Sequence, residues 1–134
     1  MTNKNYFTNI PNIGDLDIEQ VLVEDDFPIF FTLISKTQKR YICVCCEIYE
    51  EQRWIISPIS KDILIKLLKD EITIHDAFIT QDIEKCIIAH WSKENPVLRY
   101  DLVDTCDVPK DDLPLNEYLE DDNAIEYIEF LNEV

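Results

Sequence analysis

Apolar positions recur first with a period near two and later with a period near 3.6, which predicts strands followed by helices. "IEQVLVE" (18 to 24) is β-rich and is broken by Asp25 and Asp26; "PIFFTLIS" (28 to 35) follows as an apolar, β-branched and aromatic run. In "RYICVCCEIY" (40 to 49), Tyr41, Cys43 and Cys45 alternate with Ile42, Val44, Cys46 and Ile48. Both faces are apolar, as expected of a central strand covered on each side. The polar "KTQK" and "EEQ" are turns, and with "RWIISPI" (53 to 59) these short-linked strands predict an antiparallel meander.

The period then changes. Ser60 is placed to cap a helix over 61 to 70, with Asp62 in its first turn and an apolar stripe of Ile63, Leu64, Leu67 and Leu68 that should lie on the sheet. Thr73 and Asp76 resemble a capping pair opening a short helix at "IHDAF". "KCIIAHWS" (85 to 92) and "PVLRYDLV" (96 to 103) read as two further strands, the first also compatible with a helix. At the end, Ala124, Tyr127, Ile128 and Leu131 share one helical face, and Asp122, Glu126, Glu129 and Glu133 another. The expected fold is one α+β domain over residues 1 to 134, an antiparallel sheet of about five strands packed against two or three helices, the last of them acidic.

Charge sharpens this picture. Residues 1 to 100 carry 16 acidic against 11 basic side chains, a balance of −5; residues 101 to 134 carry 12 against Lys110 alone, a balance of −11. Such a field repels nucleic-acid phosphates and anionic membranes and speeds association with basic partners. Direct nucleic-acid binding and membrane binding are therefore not expected. A single glycine, Gly14, argues against phosphate-cradling loops.

Catalytic and metal chemistry find little footing. Cys43, Cys45, Cys46, Cys86 and Cys106 follow an N-terminus without an apolar leader segment, so reduced thiols in a cytoplasmic protein are expected. Cys43, Cys45 and Cys46 lack the two-residue gap of a zinc knuckle, and His75 beside Asp76 or Asp82 offers a single imidazole. Cys86 and His90 are the best nucleophile and base pair, without an orienting acid. No calcium loop is present, and the many acids make any glycosidase-like pair uninformative. Neither an enzyme nor a cofactor is expected.

"RWIISPISKDILIKLLKDEITIHDAF" (53 to 78), with the preceding "PIFFTLISKTQKRYICVCCEIY", resembles a family of small bacterial and phage-associated domains of unknown function. In that pattern an Arg-Trp strand runs into Pro-Ile-Ser, a Leu-rich helix and a segment ending Asp-Ala-Phe. The resemblance spans residues 28 to 78, implies an α+β domain and brings no activity with it. Trp54, Ala77 and Phe78 are expected to pack a core between sheet and helix.

The leading functional expectation is a non-enzymatic acidic binding protein. It would occlude a basic surface of a nuclease, toxin or other nucleic-acid-handling protein, as an immunity protein, an antitoxin or a phage-encoded inhibitor imitating nucleic acid. Its face would be built from Asp111, Asp112, Glu117, Glu120, Asp121, Asp122, Glu126, Glu129 and Glu133, with Tyr118 and Tyr127 as aromatic anchors. The alternatives are a small enzyme or ligand-binding domain with a pocket between sheet and helix, and a dimer paired through the "PIFFTLIS" strand as an edge.

Overall fold

The computed structural model describes residues 5–11, 13–25, 27–47, 51–79, 85–94, 97–104, 118–119 and 124–133. Its strands are β1 (Asn5–Ile10), β2 (Gly14–Asp25), β3 (Phe27–Ser35), β4 (Arg40–Glu47), β5 (Glu51–Pro58), β6 (Lys85–Ser92) and β7 (Arg99–Asp104). Its helices are α1 (Lys61–Leu68), α2 (Ile74–Ile79) and α3 (Ala124–Glu133). Every strand pairs antiparallel with the next, giving one sheet in the order β1 to β7.

That sheet curls into a nearly closed barrel with three short helices, which corrects the expected five-strand α+β arrangement. Two features make the difference. β6 pairs with β5 from Glu51 to Ile56 and β7 with β6, so both strands read after the helices extend the same sheet in chain order. β1, too polar in "NYFTNI" to stand out in the sequence, adds a strand on the other side. Strand twist then brings the two ends of the sheet together. Register shifts along the 12-residue β2, after Ile18, Val21 and Val23, bend it around the barrel.

The two-sided apolar strands acquire their meaning here, since one face fills the barrel and the other carries the helices. Phe31, Leu33, Tyr41, Cys43, Trp54 and Ile56 belong to the interior cluster, together with Phe7 and Leu16. Phe30, Ile42, Ile55 and Cys86 point outward and meet Leu64, Leu67, Phe78 and Leu131 of the helices. β4 is covered on both faces, as its alternation predicts. Trp54, expected beneath a helix, instead fills the barrel, edge-on to Phe7 with ring centres 5.4 Å apart. Ala77 and Phe78 are buried as expected. The "PIFFTLIS" strand is hydrogen-bonded to β2 on one side and β4 on the other, so it offers no edge for dimerisation.

The local signals for the helices hold. The Ser60 hydroxyl accepts from the Ile63 amide at 3.2 Å, capping α1. Thr73 Oγ1 accepts from the Asp76 amide at 3.2 Å, opening α2.

Closure of the barrel is unusual in kind. In an antiparallel meander of seven strands, the first and last run in the same direction, so no antiparallel ladder can join them. A side chain spans the gap instead. The Tyr100 hydroxyl, from β7, donates to the Thr8 carbonyl at 2.8 Å and accepts from the Thr8 amide at 3.2 Å. Its ring meets Phe7 edge-on at 6.4 Å.

Candidate functional site

Helix α3 carries the glutamates of the expected acidic face that lie among the described residues. It turns Ala124, Tyr127 and Leu131 into the protein. Fully burying a residue such as Leu131 is worth about 1.5–3 kcal/mol. Each like-charged pair three or four residues apart, Glu126 with Glu129 and Glu129 with Glu133, costs only about 0.2–0.5 kcal/mol. Docking therefore outweighs repulsion, and the glutamates can stay unneutralised.

Tyr127 fixes this helix to the barrel through a polar network. Arg40 on β4 reaches Glu19 on β2 with two hydrogen bonds, Nε to Oε1 at 2.8 Å and Nη2 to Oε2 at 3.1 Å. The Tyr127 hydroxyl donates to Glu19 Oε1 at 2.5 Å and shares a 2.8 Å hydrogen bond with Thr32 Oγ1 on β3. Burial, reinforced by the hydrogen bond to the Glu19 carboxylate, pushes the Tyr127 phenol well above its ordinary range. The hydrogen bond to Glu19 likewise raises Arg40.

The opposite face of α3 is fully described. Glu126, Glu129 and Glu133 are exposed, and helical spacing sets Ile125 on one side of them and Phe130 on the other. Ile125 is 67% exposed and Phe130 43%. Among the described residues, no lysine, arginine or histidine lies within ion-pair distance of the three glutamates. Between α3 and β2 lies a small pocket of about 320 Å³, lined by Glu19, Gln20, Glu126, Tyr127 and Phe130. Two carboxylates and an aromatic ring that stacks on Tyr127 thus converge at one spot.

Compared with protein-family models, curated proteins and solved structures, the chain matches none. The candidate site therefore rests on this geometry.

The expected residues divide into three groups. Glu126, Glu129 and Glu133 form the exposed face, and Tyr118 is 52% exposed. Tyr127 is buried and belongs to the docking network, so it is no exposed anchor. Asp111, Asp112, Glu117, Glu120, Asp121 and Asp122 lie outside the described residues. Ile125 and Phe130 were not anticipated as surface groups. Their positions on the acidic side of the helical wheel were the available signal.

Cys86 and His90 stand four positions apart on β6, which sets them about 13 Å apart along a strand. Cys86 is buried beneath the helices. His90 instead faces carboxylates, with Nε2 3.0 Å from Asp101 Oδ2 and Nδ1 3.6 Å from Glu51 Oε1. Neither lines the pocket between sheet and helix. Cys43, Cys45, Cys46 and Cys86 are reduced thiols, and burial pushes Cys43 well above the usual thiol range; Cys106 lies outside the described residues. Among the described residues, no group of three or more His, Cys, Asp or Glu is arranged to hold a metal ion. None of the described helices is long and apolar enough to cross a membrane.

Proposed function

We propose that this protein is a non-enzymatic, acidic binding module that docks through α3 on a basic surface of a nucleic-acid-handling protein. The supporting observation is the exposed face of α3, where Ile125 and Phe130 bracket Glu126, Glu129 and Glu133 on a helix held by Tyr127. Two large apolar side chains exposed on one acidic helical face are suited to contact with a partner. Interfaces combine such apolar anchors with charged contacts.

The mechanism is occlusion. Lysines and arginines that hold phosphates in the partner would instead meet carboxylates, and one such side chain would enter the pocket between Glu126 and the Phe130 ring. The net charge of −16 would steer the encounter. Immunity proteins, antitoxins and inhibitors that imitate nucleic acid can all work by this chemistry, and the partner class follows from it: a nuclease, a toxin or a nucleic-acid-binding enzyme.

Association rates measured against salt test the reading. The on-rate for a basic partner is expected to fall by about tenfold or more from low to physiological salt. Reversal of Glu126 and Glu129 to lysine should abolish binding while the circular dichroism spectrum stays unchanged. Binding indifferent to salt, or retained after both reversals, would refute the proposal.

A further inference from the structure

At the seam between β1 and β7, where Tyr100 reaches across to Thr8, lies an open cleft of about 720 Å³. Its walls come from β1, β5, β6 and the approach to β7: Phe7, Thr8, Gln52, Trp54, Trp91 and Tyr100. We propose that this cleft binds an uncharged saccharide of one or two rings.

Charge makes the first selection. Among the described residues, no Asp, Glu, Lys, Arg or His lines the cleft, so neither an anionic nor a cationic ligand finds a counter-charge there. The net charge of −16 further disfavours anions such as nucleotides or sugar phosphates. A neutral ligand suits a lining of amides, a hydroxyl and rings, and a cation held by the rings alone is the outcome that tetramethylammonium tests.

The lining then selects within neutral ligands. Gln52 and Trp91 are direct cross-strand partners on β5 and β6 and both line the cleft. Trp91 is half-buried, packed against the interior cluster while bordering the cleft, so its ring is held as a platform. The Gln52 amide both donates and accepts, as do the Thr8 hydroxyl and the Asn9 amide at the rim. A polyhydroxylated ring matches this pairing, with C–H groups on its face and hydroxyls that donate and accept around its edge. A flat heteroaromatic ring would call for two parallel walls. Phe7 meets Trp54 at 80° and Tyr100 at 75°, so Phe7 forms no parallel slot with either ring.

The Tyr100 hydroxyl is engaged by both backbone groups of Thr8, which makes Tyr100 a positioning residue that holds the wall in place. Asn9 has a left-handed backbone (φ 58°), and its backbone amide donates to Asp15 Oδ1 at 3.0 Å, fixing the rim. The cleft is thus built from held parts, and its volume falls within the range of small-molecule sites, about 300–1,000 Å³.

Trp54 and Trp91 are the two tryptophans of the chain, so intrinsic fluorescence reports on this place. The full chain would be titrated with N-acetylglucosamine, chitobiose, cellobiose and maltose, with adenosine and tetramethylammonium as comparison ligands. A saturable fluorescence change with at least one sugar is expected, weakened about tenfold or more by Trp91→Ala and by Gln52→Ala. Glu129→Lys should leave it unchanged, which separates this proposal from the docking role of α3. If Trp91→Ala does not fold, ligand-detected NMR on Gln52→Ala measures the same loss of sugar binding. Silence from all four sugars at millimolar concentration, a response that survives both substitutions, or saturation by adenosine or tetramethylammonium alone would overturn the proposal.

Discussion

At the scale of single residues, Tyr127 does the most to place the acidic helix. Its hydroxyl is shared between Glu19 and Thr32, and its removal leaves both partners under-satisfied in a buried setting. Tyr127→Phe is expected to lower unfolding free energy by about 1–3 kcal/mol, measured by urea denaturation at neutral pH. The pH dependence follows from its raised ionisation. The unfolded chain's phenol ionises first, near the ordinary value of 10.0, so the stabilisation is full below that pH and is lost as pH rises beyond it. Stability of the native chain should therefore fall more steeply above pH 10 than that of Tyr127→Phe. Sequence spacing already put Tyr127 with Ala124, Ile128 and Leu131 on the apolar face; only its aromatic character suggested a surface anchor. Ser60, Ala77 and Phe78 were legible because a cap and a small or large apolar residue within a helical period carry their roles locally. The partnership of Glu19, Arg40, Thr32 and Tyr127 was not, since it joins residues from four separate elements.

At the scale of elements, the seam and α3 make distinct predictions. Among the described residues, β1 and β7 each have a strand neighbour on one side only, and the two hydrogen bonds of Tyr100 join them. Tyr100→Phe should cost about 0.5–1.5 kcal/mol for each bond lost. Amide hydrogen exchange should accelerate in β1 and β7 before it does in β4, which is paired on both sides. Uniform acceleration across all strands would argue against a local latch. For α3, the exposed Glu133 sits in the last turn, where the helix dipole disfavours an anion, and no basic residue is present there. Glu133→Lys is expected to stabilise the fold by about 0.3–1 kcal/mol in low salt while weakening partner binding. Opposite signs on stability and binding identify a surface kept acidic at a cost to the helix.

For the whole molecule, salt separates intramolecular from intermolecular charge effects. A net charge of −16 repels itself within the compact state, so the thermal midpoint should rise as salt is added in the range where the Debye length shrinks from about 30 to 10 Å. Partner association should slow over the same range. Differential scanning fluorimetry and stopped-flow association, run in one salt series, read the two trends separately. A midpoint that falls with added salt would mean that the native fold leans on attractive surface pairs instead.

The sequence by itself determined most of the elements, the caps of α1 and α2, the two-sided burial of β4 and the concentration of negative charge beyond residue 100. These follow from periodicity, cap chemistry and composition, all of which act over a few neighbouring residues. Only the tertiary structure decided that the sheet continues through β6 and β7, that it curls, and that a tyrosine joins its ends. Pairing between strands distant in sequence depends on register and twist summed over the whole sheet, to which no short segment holds the key. The same holds for the two faces of the strands: alternation announced that both are covered, and the curl of the barrel decided that one meets helices and the other its own interior.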